Sequence, residues 1–149
     1  MLSRQLIVYF LLCLIAIAMV KEFTFSPEVF SGNGNPVILL FPFVILSFVL
    51  FGIEFSLSLK AANFTIKTWR RLIIVSLIIF ISSLIMEFFF VKQLIHQLGG
   101  PPTKIDSRIY HYPWLNQYTN TLFVNFYTFL FYISTIVLCV SFTRLKNKS

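Results

Sequence analysis

Four stretches of this chain, 4–20, 36–59, 70–92 and 120–142, are built mostly from Leu, Ile, Val and Phe, with charge confined mainly to their ends. At a rise of 1.5 Å per residue, such stretches are of the length needed to cross a hydrocarbon core of about 30 Å. Inside lipid, backbone N–H and C=O groups must be satisfied within the segment, so each stretch is expected to be a helix. The composition agrees. With 58% hydrophobic residues, 11% charged residues and a mean hydropathy of +0.86, too little charge remains to cover a soluble domain of 149 residues. The expected fold is therefore an all-α integral membrane protein, one four-helix transmembrane bundle with outer loops at 21–35 and 99–119. No loop is long enough to hold a soluble domain.

The breaks between segments carry their own signals. The first run follows Arg4 and ends before Lys21, and its Ala16-Ile17-Ala18 also fits a signal-peptide cleavage site; both readings start the chain on the same side. In the first outer loop, Phe23, Phe25 and Phe30 are expected to dip into lipid or the bundle, and Ser31-Gly32-Asn33-Gly34-Asn35-Pro36 is dense turn chemistry. Pro36 suits a first helical turn, whereas Pro42 should loosen the outer end of the second helix, which is expected to run on to about Ala62. The third helix meets no breaker until Gly99-Gly100-Pro101-Pro102, so it should outrun the bilayer and stop at Leu98 or Gly99.

Lysine and arginine set the orientation. Eight of the twelve lie at the start, in the 60–71 connection or in the tail, and four lie in the two outer loops or, for Lys92, at the outer end of the third span, which places both termini in the cytoplasm of a multi-pass protein of the cell membrane. The formal charge of +7 is thus explained by topology and lipid headgroups, and nucleic acid is not an expected partner. Trp69, beside Arg70 and Arg71, is expected as an interfacial anchor, and Glu54 as the partner of a nearby base. Cys13 and Cys139, at different depths, are expected to pack rather than pair, and the Asn63-Phe64-Thr65 sequon falls on the inner side.

One polar pattern runs through the apolar segments. Thr121, Asn125, Thr128, Tyr132, Thr135 and Cys139 recur at spacings of four and three, and Trp69, Ser76, Ser83 and Glu87 at seven, seven and four. On helices each set forms one stripe. Packed antiparallel, the two would pair Ser76 with Thr135, Ser83 with Thr128 and Glu87 with Asn125, with Thr121 close by. One register serves all three pairs, with residue numbers summing to about 211 or 212.

Glu87 is the one clearly intramembrane charge, and a lone carboxylate in lipid must be protonated, paired or wetted. Four spans with a membrane glutamate resemble the plan of small multidrug exporters, although here the acid lies on the third segment rather than the first. A second grouping, Tyr110, His111, Tyr112, Trp114 and Tyr118, forms an aromatic belt suited to the outer membrane interface. His96, Asp106 and His111, ten and five residues apart, match no zinc motif, and no nucleophile elbow, zincin helix or phosphate loop is present. No catalytic set, metal or cofactor is expected. The sequence favours a protein acting through contacts with the lipid bilayer and with another membrane protein or itself, as an accessory subunit, regulator or immunity-type factor. A small oligomeric transporter or channel using Glu87 and the seam is the alternative, and a membrane enzyme acting on lipid is the third.

Overall fold

A computed structural model describes residues 3–29 and 34–147. The expectations for Phe30 and for the turn at Ser31, Gly32 and Asn33 lie outside the described residues. Four helices follow one another: α1 (Arg4–Phe23), α2 (Phe41–Ala61), α3 (Ile66–Gln97) and α4 (Phe126–Lys146), with short 3₁₀ turns at Pro36–Leu40 and Asn120–Leu122. All four are apolar and long enough to cross a membrane, and the fold is a four-helix transmembrane bundle.

Local chemistry sets the helix ends. Ser3 caps α1, its hydroxyl accepting from Leu6 N at 3.0 Å. Pro42 falls at the first turn of α2, so the loosening expected there appears as the 3₁₀ turn just before it. Thr65 caps α3, which then runs 32 residues, about 48 Å, well beyond the hydrocarbon core. Its end is a paired glycine cap: Gly99 N donates to His96 O, and Gly100 N to Ile95 O, with Gly99 at φ 80°.

One end of the bundle holds both described chain ends. There Ser3 Oγ donates to Glu54 Oε1 at 2.6 Å, and the Arg144 guanidinium donates to Lys60 O. This terminal end lies opposite a loop end, where Phe25 N donates to Gln117 O at 2.9 Å. Among the described residues the partner of Glu54 is thus the Ser3 hydroxyl, brought there by the α1 cap, and not the expected base.

α1, α2 and α4 make a three-helix core around phenylalanines. Phe129 lies 5.3 Å from Phe48, 5.6 Å from Phe51 and 5.9 Å from Phe10 between ring centroids, the spacing that aromatic rings favour. Buried Cys13 sits in the same core. Cys139 is exposed, which corrects its expected packing role: it lies on the face of α4 turned from the core. α3 stands outside this triangle and packs along α4. Only 11% of its most apolar stretch is buried, against 22 to 28% in the other helices.

Candidate functional site: the α3–α4 seam and the loop end

The seam is built by two helices meeting antiparallel. Trp69, Ser76 and Ser83 of α3 are all buried. Two contacts fix the register: Phe80 and Phe131 lie 4.6 Å apart between centroids with their planes tilted by 35°, and Asn125 Nδ2 donates to Glu87 Oε2 at 2.7 Å. Those residue numbers sum to 211 and 212.

Asn125 is not inside α4. The chain breaks after the 3₁₀ turn, and Asn125 is the N-cap, in extended conformation at φ −148° and ψ −178°. Thr121, too, precedes the helix rather than lying on its stripe. The sequence pattern misses this because the residues around the break are apolar enough to read as unbroken helix. Capping is the physical reason for the break. Asn125 Oδ1 accepts from Thr128 N at 2.9 Å, while Asn125 N donates to Thr128 Oγ1 at 3.0 Å, a reciprocal box. The remaining amide hydrogens go to Glu87 Oε2 and, at 2.8 Å, to Thr121 O. The side chain thus uses its acceptor and both donors, tying the start of α4 to α3.

The other expected pairs do not cross. Ser83 Oγ donates to Phe80 O at 2.9 Å, Thr128 Oγ1 to Asn125 O at 2.9 Å and Thr135 Oγ1 to Phe131 O at 2.8 Å. Each hydroxyl returns to a carbonyl of its own chain three or four residues back, the nearest acceptor where water is absent. Ser76 is buried, and so is Ser134 of α4, which the stripe did not include and whose hydroxyl donates to Phe131 O. Tyr132 leaves the seam altogether: its hydroxyl donates to Phe48 O of α2 at 2.9 Å. Gly52 makes room for it, since a Cβ there would stand 1.9 Å from the Tyr132 oxygen. Trp69, 1% exposed and edge-on to Phe64 at 5.2 Å, is a buried wedge and not the expected interfacial anchor.

At the loop end the aromatic belt divides. Trp114 and Tyr112 are exposed, but Tyr118 is buried against Leu94, Leu98 and Ile109, its hydroxyl donating to Val29 O at 3.0 Å. The ring of His111, whose φ is 64°, lies 3.8 Å from that of Tyr110. Among the described residues no group of three His, Cys, Asp or Glu is placed to hold a metal, so His96, Asp106 and His111 do not converge.

The loop end also carries a clamp absent from the sequence reading. Asn35 Nδ2 donates to Asn120 Oδ1 at 2.7 Å, and Asn120 Nδ2 returns to Asn35 Oδ1 at 2.9 Å. Asn35 Oδ1 also accepts from Val37 N, so this amide pair joins the start of the second span to the approach of α4. Asn116 holds the preceding turn through Pro113 O and Tyr118 N. Only the turn propensity of asparagine signalled these residues, and propensity does not reveal a partner 85 positions away.

Between α1 and the α3–α4 pair lies a cleft of about 430 Å³, lined by Lys21, Phe25, Phe90, Tyr118 and Tyr127 and reaching Asn125. Glu87 Oε1, just beyond Asn125, is buried and has no hydrogen-bond partner among the described residues.

No family model, curated protein or solved structure matches this chain.

Proposed function

We propose that this protein acts through contacts within the membrane, as an accessory or regulatory subunit, with α3 as its docking helix and both termini cytoplasmic. The placement of α3 carries the reading. It is the longest helix, it packs along α4, and its opposite face is open. Ile74, Ile78, Ile81, Ile85 and Phe88, spaced four, three, four and three, are each at least half exposed and lie on the side away from Ser76 and Ser83. β-Branched isoleucines lose little rotamer freedom on packing, so such a ridge suits a protein partner better than fluid acyl chains. On the other side, the Glu87–Asn125 bond closes the seam and holds α3 in place.

Extraction of the tagged chain directly from its membrane in polymer-bounded nanodiscs tests this. The wild type is expected to come out with a stoichiometric companion, either a second polypeptide or a second copy, and Ile78→Ala with Ile85→Ala to come out alone at unchanged melting temperature. A wild type extracted as a lone monomer contradicts the reading. For the orientation, labelling of Lys146→Cys only from outside intact cells is the contrary result.

One observation favours a second reading, a small transporter. The cleft beside Lys21 ends at Asn125, next to the unpartnered oxygen of Glu87. Water entering there would reach a carboxylate partway across the membrane, the usual place of an ion-coupling acid. Proton uptake into vesicles that is lost in Glu87→Gln would favour this reading. Uptake absent from the wild type and the variant alike would remove it.

A further inference from the structure

The net charge of the chain is lodged at one end. Along the sequence, eight bases and a single acid, Glu54, belong to the terminal end, while the loop end has four of each, with Glu87 counted there. The net positive charge of the described residues therefore lies at one end of the bundle. Glu54 is occupied by Ser3, so it faces a donor already.

Within that charged end, a groove opens on the face shared by α2 and α4. Its deeper part, about 430 Å³, is lined by Gly52, Ile53, Leu57 and Ile136, and reaches outward to Lys60. A smaller hollow of about 200 Å³ continues from Lys60 to Thr143, Arg144 and Asn147. Lys60 lines both, so the two hollows adjoin, one mainly apolar and the other basic. From Lys60 to Val49, the far limit of the apolar part, α2 rises about 16 Å, close to the half-thickness of a hydrocarbon core. At the floor, Gly52 admits the Tyr132 phenol, which lines the groove beside it.

We propose that this groove is a binding site for an anionic phospholipid of the leaflet around the chain termini. Its phosphate lies against Lys60, Thr143, Arg144 and Asn147, and one acyl chain runs along Gly52, Ile53 and Leu57 to mid-membrane. The charge selects the headgroup: a basic pocket between spans attracts anionic lipid over zwitterionic lipid. Arg144 uses one N–H on Lys60 O, and a guanidinium has five donors. The match between groove length and one leaflet selects a lipid over a soluble anion, which would have no use for the apolar part. A site of this kind would make the association of the protein with its membrane depend on lipid composition, apart from any partner bound by α3.

Native mass spectrometry of the full chain in mild detergent, offered phosphatidylglycerol and phosphatidylcholine in equal amounts, tests the proposal. Phosphatidylglycerol is expected to be retained in preference, and Lys60→Gln to reduce that preference about fivefold, the effect of removing one base near the surface. Lys92→Gln, at the loop end, should leave it unchanged. Ser56→Trp, placed to fill the groove without touching charge, should cost retention of both lipids, with Leu57→Trp as the alternative if the first variant melts early. Glycerol phosphate at millimolar concentration should not displace the lipid. Equal retention of the two lipids would overturn the proposal, as would a Lys60→Gln preference equal to that of the wild type. Displacement by glycerol phosphate would show a plain anion site, and a dimer that forms in place of lipid binding would show a protein interface; either result also overturns it.

Discussion

Asn125 concentrates several duties in one amide. It caps α4, holds the Thr121 carbonyl and satisfies Glu87, and substitutions can separate these roles. Serine retains an N-cap oxygen but is too short to reach Glu87, whereas alanine loses both, and the cap alone is worth about 1 kcal/mol. Leaving a buried carboxyl oxygen without its donor costs about 1–3 kcal/mol more. Asn125→Ser should therefore destabilise the wild type by about 1–3 kcal/mol and have little effect where Glu87→Met has already removed the acid. Detergent melting of the four proteins in a double-mutant cycle reads this coupling, and equal losses in the two backgrounds would break the link between α3 and the α4 cap. The pairing of Glu87 with Asn125 was legible from spacing. The cap was not, because a residue just before a helix and one in its first turn fall on the same stripe.

At the scale of elements, close approach decides more than polarity. α2 and α4 meet where Gly52 admits the Tyr132 phenol, and the hydroxyl binds the α2 backbone at Phe48. Gly52→Ala should cost about 1–3 kcal/mol through the forced retreat of that ring, measured as a drop in melting temperature. Tyr132→Phe in the same chain should recover part of the loss, because the oxygen nearest the new methyl is gone. An alanine variant as stable as the wild type would mean that the helices slide apart freely there. The four spans and the stop of α3 could be read in advance from hydropathy and the Gly99-Gly100 pair, since they depend on local chemistry, whereas the starts of α2 and α4 could not. Tyr132's desertion of the seam could not. A stripe gives the direction of a Cβ, whereas a long side chain goes where a neighbouring helix leaves space. The return of Ser83, Thr128 and Thr135 to backbone carbonyls has the same origin: periodicity marks a face but does not rank the acceptors within reach.

For the whole molecule, two asymmetries organise the reading. Charge is lodged at the terminal end, and the buried phenylalanine core lies among α1, α2 and α4, while α3 makes its long packing contact with α4 alone. The four spans and the charge bias were open to sequence reasoning because hydropathy and topology are one-dimensional. The arrangement of three helices plus one was not, since every apolar segment looks equally fit for a core. The loop-end clamp of Asn35 and Asn120 was hidden for a related reason, being a long-range pairing of two ordinary turn residues. The claim that joins these features is that the outward face of α3 meets a protein. Photocrosslinking in the native membrane tests it most directly, with a photoreactive residue placed in turn at each position from Ile74 to Phe88. A docking helix predicts protein adducts of one mass at Ile74, Ile78, Ile81, Ile85 and Phe88, rising and falling with a helical period, and none from the exposed Ile45 of α2. Lipid adducts alone at every α3 position, or protein adducts of equal yield from Ile45, would contradict it.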